Sequence, residues 1–372
     1  MSHHRHNYFV EQLLAWYRGN KRDLPWRKDH NAYRVWVSEI MLQQTKVDTV
    51  IPYFENFMSK FPTVSTLAEA PEEQVLKAWE GLGYYSRARN LHAAVKEVEA
   101  TYGGVVPQEK EEILKLKGVG PYTAGAVLSI AYNKPEPAVD GNVMRVLSRY
   151  EKIEEDIAKV STRKMMEKWI VNVIPHDSSG DFNQALMELG ALVCTPKSPK
   201  CDTCPVFKHC IARKEGLQTL LPIKKKAKPP RPERRIVALI RGTGAHKDQV
   251  LIAKRPAEGL LANMWEFPHW EVKKTADQTS HHQDMVKLRK HIKQELGIEV
   301  QPLGWAMNVT HMFSHIHWDM DVYECTLHEN DSVLDDRYHW YDPSKIEAYT
   351  FPNVFLKIGN TLLSKNESGE PE

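Results

Sequence analysis

Over residues 8–215 apolar positions recur at helical spacing, and Gly and Pro break the pattern into segments such as 73–82 and 91–102. A succession of amphipathic helices is predicted there. The pattern stops at residues 224–235, where KKKAKPPRPERR sets seven basic residues and three prolines against one acid, the composition of an extended, solvated linker. Beyond it the period shortens. Residues 236–240 and 250–253 predict short strands, and Ile316, Trp318, Met320 and Val322 alternate with His317, Asp319 and Asp321 as a half-buried strand does. Between these, Met285, Leu288, Ile292 and Leu296 keep helical spacing and Gly297 supplies a stop, so this half is mixed α/β. No internal repeat is present. The expected organisation is an all-α domain over 1–223 with a cysteine lobe at 194–210, a basic linker over 224–235, an α/β domain over 236–363, and a polar, disordered tail over 364–372.

Length agrees with a multidomain chain, because 372 residues exceed what one core usually organises. Charge adds little: 50 basic against 48 acidic residues leave +2, so any basic surface for a polyanion must be local. No stretch approaches the apolar length of a membrane span, and the polar, His-dotted residues 1–7 lack the apolar core of a signal peptide. A cytoplasmic monomer without a membrane partner is expected. The five cysteines change the picture more. Cys194, Cys201, Cys204 and Cys210 fall within 17 residues, while Cys325 stands alone on a predicted strand, where it suits a small buried apolar position. Clustering of this kind favours a metal site over disulfides. The spacing Cys-x6-Cys-x2-Cys-x5-Cys can enclose a tetrahedral zinc or a cubane cluster, and its single Cys-x2-Cys pair argues against a zinc ribbon.

Three further segments carry candidate chemistry. Leu116-Lys117-Gly118-Val119-Gly120-Pro121-Tyr122-Thr123-Ala124-Gly125 puts Gly118 and Gly120 in a tight turn between helices, where amides and a helix start can face a phosphate. An ordinary helix connection has the same Gly-x-Gly. Glu39 sits in a helical segment whose spacing surrounds it with Val35, Trp36, Leu42 and Gln43; apolar neighbours would raise its pKa and make it a general acid, whereas an isolated surface glutamate would do nothing. Asp140 precedes an apolar-periodic helix, so it reads as a cap whose charge the helix start would hold ionised, with Asn142 in support. Two carboxylates in unlike environments are what acid catalysis opposite a developing cation needs.

Taken with Leu24-Pro25-Trp26-Arg27, Gln44-Thr45, Gly81-Leu82-Gly83-Tyr84-Tyr85 and Val139-Asp140-Gly141-Asn142, these segments resemble the adenine DNA glycosylases of the MutY type, within the endonuclease III-like helix-hairpin-helix glycosylases. The resemblance covers nearly all of the first 215 residues and implies the following. The fold would be an all-α helix-hairpin-helix glycosylase domain with an iron-sulfur lobe, followed by an α/β Nudix-like domain. Cys194, Cys201, Cys204 and Cys210 would hold a 4Fe–4S cluster. The substrate would be double-stranded DNA, at the nucleoid, with adenine mispaired with 8-oxoguanine or guanine. Glu39 would protonate adenine; Asp140 would stabilise the cationic sugar, through charge or a transient covalent bond; Tyr122 and Asn142 would assist. Trp26, Arg27, Gln184 and Glu188 would lie around the flipped adenine, and Gln44 and Tyr84 would fill the vacated stack, although a buried core role is the plain alternative for Tyr84. Bifunctional relatives carry a Schiff-base lysine where this chain has Tyr122, so the resemblance implies a monofunctional enzyme that leaves an abasic site.

The second domain resembles a Nudix fold whose box has decayed. Lys290-His291-Ile292-Lys293-Gln294-Glu295-Leu296-Gly297-Ile298 keeps too few hard oxygen ligands for a magnesium-dependent pyrophosphatase. Phe313-Ser314-His315, before the alternating strand, matches the family's motif for reading the base opposite adenine; a structural turn is the alternative.

Overall fold

Helical periodicity in the first half and two-residue alternation in the second become two different architectures. The structure, a computed structural model, describes residues 3–225, 228–273, 280–328 and 334–367. The helices of the first half are α1 (His3–Asn20), α2 (Ala32–Leu42), α3 (Val47–Lys60), α4 (Val64–Glu69), α5 (Glu72–Ala78), α6 (Ser86–Tyr102), α7 (Lys110–Ile113), α8 (Pro121–Tyr132), α9 (Gly141–Tyr150), α10 (Val160–Val171), α11 (Ser179–Leu192) and α12 (Ile211–Glu215). Caps follow local chemistry: the Asn31 side chain accepts the Arg34 amide to open α2, and Asp140 accepts that of Val143 to open α9. The second half contributes β1 (Arg231–Arg241), β2 (Val250–Lys254), β3 (Trp265–Glu266), β4 (His269–Glu271), α13 (His281–Leu296), β5 (Val300–Met312), β6 (Ile316–Leu327), β7 (Tyr338–Tyr341) and α14 (Asn353–Glu367).

These elements pack as two compact units, residues 1–71 with 87–227 and residues 72–86 with 228–372. In the first, α2 packs on α8 and α11 on α1, α8 and α9, around a core that includes Phe9, Leu147, Phe182 and Leu186. Two glycines permit the close approaches that shape its centre. A Cβ on Gly125 of α8 would lie 1.9 Å from the Pro137 carbonyl oxygen, and one on Gly190 of α11 would lie 2.6 Å from the Asn142 Cβ. Larger residues there would push apart the helices that bring α2, α8, α9 and α11 to one place.

The second unit is a mixed sheet in the order β3-β2-β1-β6-β5, with β4 on β1 and β7 on β2. β1 and β6 run parallel, from Arg231 opposite Ile316 to Arg241 opposite Thr326. The apolar stripe of α13, Leu288, Ile292 and Leu296, covers Ile236, Ala238 and Ile240 of β1, and Cys325 is buried beside them as its place on a strand predicted. Gly297, left-handed at φ +71°, ends α13.

Three boundaries differ from the sequence reading. β1 begins at Arg231, inside the segment expected as linker, because parallel pairing with β6 uses its backbone and the basic side chains find partners: Arg234 meets Asp284 at 2.5 Å and Asp321 at 2.6 Å. Residues 72–86, assigned by periodicity to the helical domain, pack with the second unit, where Asn263 donates to Glu72 at 2.6 Å, Trp265 to Glu73 at 3.1 Å and the Phe351 amide to Glu80 at 2.8 Å. Of the tail expected to be disordered, residues 364–367 continue α14, and 368–372 lie outside the described residues. No helix among the described residues is long and apolar enough to cross a membrane.

Candidate active site

In the first unit, a pocket is lined by Trp26, Arg27, Glu39, Asp140, Gln184 and Glu188, with Asn142 and Arg22 also on its wall. Residues up to 166 apart in sequence thus meet, as Arg22 and Glu188 do. Glu39, on α2, is 5% exposed. Burial raises its carboxyl to about 7; the Asp140 charge adds to the rise, while the hydrogen bond from Tyr122 and the Arg27 charge oppose it. Tyr122, at the start of α8, donates its hydroxyl to Glu39 Oε2. Burial, and then the nearby carboxylates, push the Tyr122 phenol far above its usual range, so it stays a neutral donor.

Asp140 is satisfied from two sides. Its Oδ1 accepts the Val143 amide at 2.7 Å and its Oδ2 accepts Asn142 Nδ2 at 2.8 Å. Burial nevertheless lifts this carboxyl above its ordinary value, so the helix start reduces the cost of burying the charge without cancelling it. Asn142 is fixed in turn by Arg145, whose Nη2 reaches Asn142 Oδ1 at 2.8 Å while its Nε donates to the Cys194 carbonyl at 2.7 Å.

Glu188, fully buried on α11, is treated differently. Burial would raise it, but the Arg22 guanidinium grips both oxygens at 2.9 Å, the Arg22 amide adds a third bond at 2.9 Å and Arg27 a fourth at 2.9 Å, and the net result is about 2. Gln184, one turn earlier on α11, is buried on the same wall, and Trp26 packs edge-on against Phe54 at 5.4 Å.

Gln44 follows α2, exposed and left-handed at φ +59°. The loop holding it is pinned by Arg87, whose Nη1 donates to the carbonyls of Ile40 and Met41 at 2.9 Å and of Gln43 at 2.6 Å. These are the orphan acceptors of a helix C-terminus. Sequence reasoning named neither Arg22, Arg87 nor Arg145; each sits in or beside a quoted motif, but nothing local tells which partner it meets. Gly118, at φ +79°, turns the chain between α7 and α8, and an added Cβ would lie 2.7 Å from Asn90 Cβ. Gly120 precedes Pro121 at the first turn of α8, leaving amides at that helix start.

In the second unit, Tyr84 is 47% exposed at φ +48°, which excludes a buried core role for it. Phe313-Ser314-His315 connects β5 to β6, with Ser314 and His315 exposed. On α13, His291 of the decayed Nudix box stacks on Trp270 at 5.5 Å.

The four clustered cysteines line one cavity in the first unit. Burial raises the thiols of Cys201, Cys204 and Cys210, that of Cys204 to about 12, and their mutual repulsion adds to it, so only a bound cation would keep them as thiolates. Arg149 Nη1 donates to Cys194 Sγ at 3.3 Å, a contact that suits an anionic sulfur.

The chain matches the family described as HhH-GPD superfamily base excision DNA repair protein over residues 37–171, the iron-sulfur binding domain of endonuclease III over 194–210 and the NUDIX domain over 237–360. It is 37% identical over 367 residues to an adenine DNA glycosylase of Rattus norvegicus, spanning 86% of this chain and 70% of that protein. An adenine DNA glycosylase of Schizosaccharomyces pombe is 34% identical over 410 residues, 94% of this chain and 88% of its own. Among solved structures, a thermostable thymine-DNA glycosylase superposes with a TM-score of 0.52 at 29% identity, over 57% of this chain and 98% of that one. A trapped endonuclease III–DNA covalent intermediate, at 23% identity and a TM-score of 0.50 over 58% of this chain and 99% of that one, shares the fold of the helical part. With over a third of its residues shared along most of its length with such enzymes, this chain belongs to the adenine DNA glycosylases, base-excision repair enzymes, and carries a 4Fe–4S cluster.

Proposed function

We propose that this enzyme hydrolyses the N-glycosidic bond of adenine opposite 8-oxoguanine, or guanine, in double-stranded DNA and stops at the abasic site. The observation that carries the reading is a buried Glu39 whose carboxyl is lifted to about 7, in one pocket with Asp140. An adenine anion is a poor leaving group, so an acid half-protonated at neutral pH is suited to the task. The bond breaks with its electron pair going to the base, and Glu39 passes its proton to a ring nitrogen of that base. The sugar is left cationic. Asp140, steadied by Asn142 and the start of α9, supplies the opposing charge. Water then adds to the sugar carbon and yields a proton to the Glu39 carboxylate.

Trp26, Arg27, Gln184 and Glu188 surround the extruded adenine, with Arg22 and Arg27 neutralising Glu188. Gln44 and Tyr84 enter the vacated stack, offsetting part of the few kcal/mol that extrusion costs. The amides around Gly118 and Gly120 hold a backbone phosphate, which positions the protein without reading sequence. Ser314 and His315, behind Phe313, read the opposite base. Cys194, Cys201, Cys204 and Cys210 would hold the cluster, which staples the lobe that bears them. Tyr122 offers a phenol, which cannot condense with the sugar aldehyde, so no strand cleavage accompanies base loss. The enzyme acts as a monomer on nucleoid DNA in the cytoplasm.

Single-turnover release from a duplex with adenine opposite 8-oxoguanine, quenched with or without alkali, tests the reading. Wild type should give strand breaks only after alkali, and Glu39→Gln should bind the duplex but lose about 10²- to 10⁴-fold in rate. Breaks at the rate of base loss without alkali would refute the monofunctional assignment, and an unaffected Glu39→Gln the acid.

A further inference from the structure

The turn proposed to read the opposite base needs a fixed shape, and its own hairpin supplies only part of it. The Phe313 amide donates to the Ile316 carbonyl at 2.8 Å, and the Ser314 hydroxyl lies 3.3 Å from His315 Nδ1, both groups facing solvent. Further contacts tie it to the buried part of β6 and to β1. The Arg231 amide donates to the His315 carbonyl at 2.9 Å, because β1 starts there in parallel register with β6. The Phe313 ring stands edge-on to Trp318 at 4.9 Å, and Trp318 is 1% exposed. Directly across the parallel pair from Trp318 is Glu233, 5% exposed, which accepts the indole N–H at 3.0 Å. Arg235 covers the Trp318 ring at 4.7 Å and reaches Glu233 at 3.4 Å, and Arg231 also pairs with Glu233. A buried carboxylate is costly unless it is paired several times, and all of these pairings converge on the base of one turn.

We infer that residues 231–233, within the basic stretch, clamp the Phe313-Ser314-His315 turn, with Glu233 and Trp318 as positioning residues for discrimination of the base opposite adenine. The inference rests on the proposed reading by Ser314 and His315. The clamp acts through two links: a backbone bond that holds the His315 carbonyl, and a buried Glu233–Trp318 pair that fixes the shelf on which Phe313 rests. Hydrogen-bond recognition weakens steeply with misplacement, so a turn released from either link should lose selectivity before it loses binding.

The readout is the ratio of single-turnover adenine release opposite 8-oxoguanine to that opposite guanine, together with hydrogen exchange over residues 313–316. Arg231→Pro removes the amide, and Arg231→Ala keeps it while removing the side chain. Glu233→Leu removes the acceptor for the indole, and Glu233→Gln keeps one. Losing a hydrogen bond to a buried charged group corresponds to about tenfold, so the ratio should fall by about that factor in Arg231→Pro and Glu233→Leu and stay within about threefold in Arg231→Ala and Glu233→Gln. Exchange over the turn should quicken in Arg231→Pro alone of the Arg231 pair. If Glu233→Leu does not fold, the Arg231 pair still decides, since that residue starts an exposed strand end where proline is tolerated. A wild-type ratio and exchange in Arg231→Pro, with the ratio lost in Ser314→Ala, would overturn the clamp and leave the recognition reading standing. An unchanged ratio in both Ser314→Ala and His315→Ala would overturn the recognition reading itself.

Discussion

Glu39 on α2 and Glu188 on α11 line the same pocket, and both are at most 5% exposed, yet the first rises to about 7 while the second falls to about 2. Burial pushes both upward. What separates them is the company each keeps: Glu39 has one neutral phenol and a neighbouring carboxylate, whereas Glu188 has two guanidinium groups and a backbone amide. Partners, and not depth, decide which of two buried glutamates can carry a proton at neutral pH. Under the proposed function Glu39 carries the proton, and Glu188 holds Arg22 and Arg27 in the wall around the adenine.

The widest gap between the two should be in rate: Glu39→Gln costs about 10²- to 10⁴-fold in base release, whereas a Glu188→Gln variant that retains its fold should keep a larger share of wild-type turnover, measured on the same duplex. In stability the order reverses. Glu188→Ala leaves Arg22 and Arg27 without their carboxylate partner and should cost about 3 kcal/mol in urea unfolding at pH 7; little change would mean that the arginines find water instead. The same pair gives acid sensitivity. Glu188 has a lowered pKa, so its contribution is complete above the ordinary carboxylate value of 4.5 and fades as pH falls toward 2.

Glu39 has the opposite sign. Its pKa is raised from 4.5 to about 7, so its folded form is favoured while it is protonated, and that advantage is lost as pH climbs through about 7. Glu39→Gln, always neutral, should therefore be more stable than wild type at pH 8, by about 1–3 kcal/mol, and equal to it at pH 4. The smallest effect sharpens the assignment. Tyr122→Phe removes a donor that lowers Glu39, so the basic limb of the single-turnover pH profile should move to higher pH. A limb that stays in place would mean that another group sets it.

Much of the helical half was legible because its signals are local. The cysteine spacing, the Gly118–Gly120 hairpin, the apolar surroundings of Glu39 and the capping place of Asp140 each lie within one short segment, and the structure puts Glu39, Asp140, Arg27, Trp26, Gln184 and Glu188 around one pocket. Arg22, Arg87 and Arg145 were not legible as positioning residues. Their side chains meet partners 166, 44 and 49 residues away, respectively, and a single sequence does not reveal such pairings. The second half was read less completely. β5 carries two register shifts, between Pro302 and Gly304 and between Trp305 and Met307, which break the alternation by which a strand is recognised.

The sequence by itself determined the all-α and α/β halves and a metal-holding cysteine lobe, because hydrophobic period and ligand spacing are short-range properties; Glu39 and Asp140 stood out as catalytic candidates only through the resemblance of whole segments to a known family. Only the tertiary structure decided that residues 72–86 pack with the second unit, that the basic stretch ends as a parallel strand from Arg231, and that of two buried glutamates in one pocket one is pushed up and the other held down. Those outcomes depend on which charges and hydrogen-bond donors meet across long stretches of chain, and on how little water is left between them.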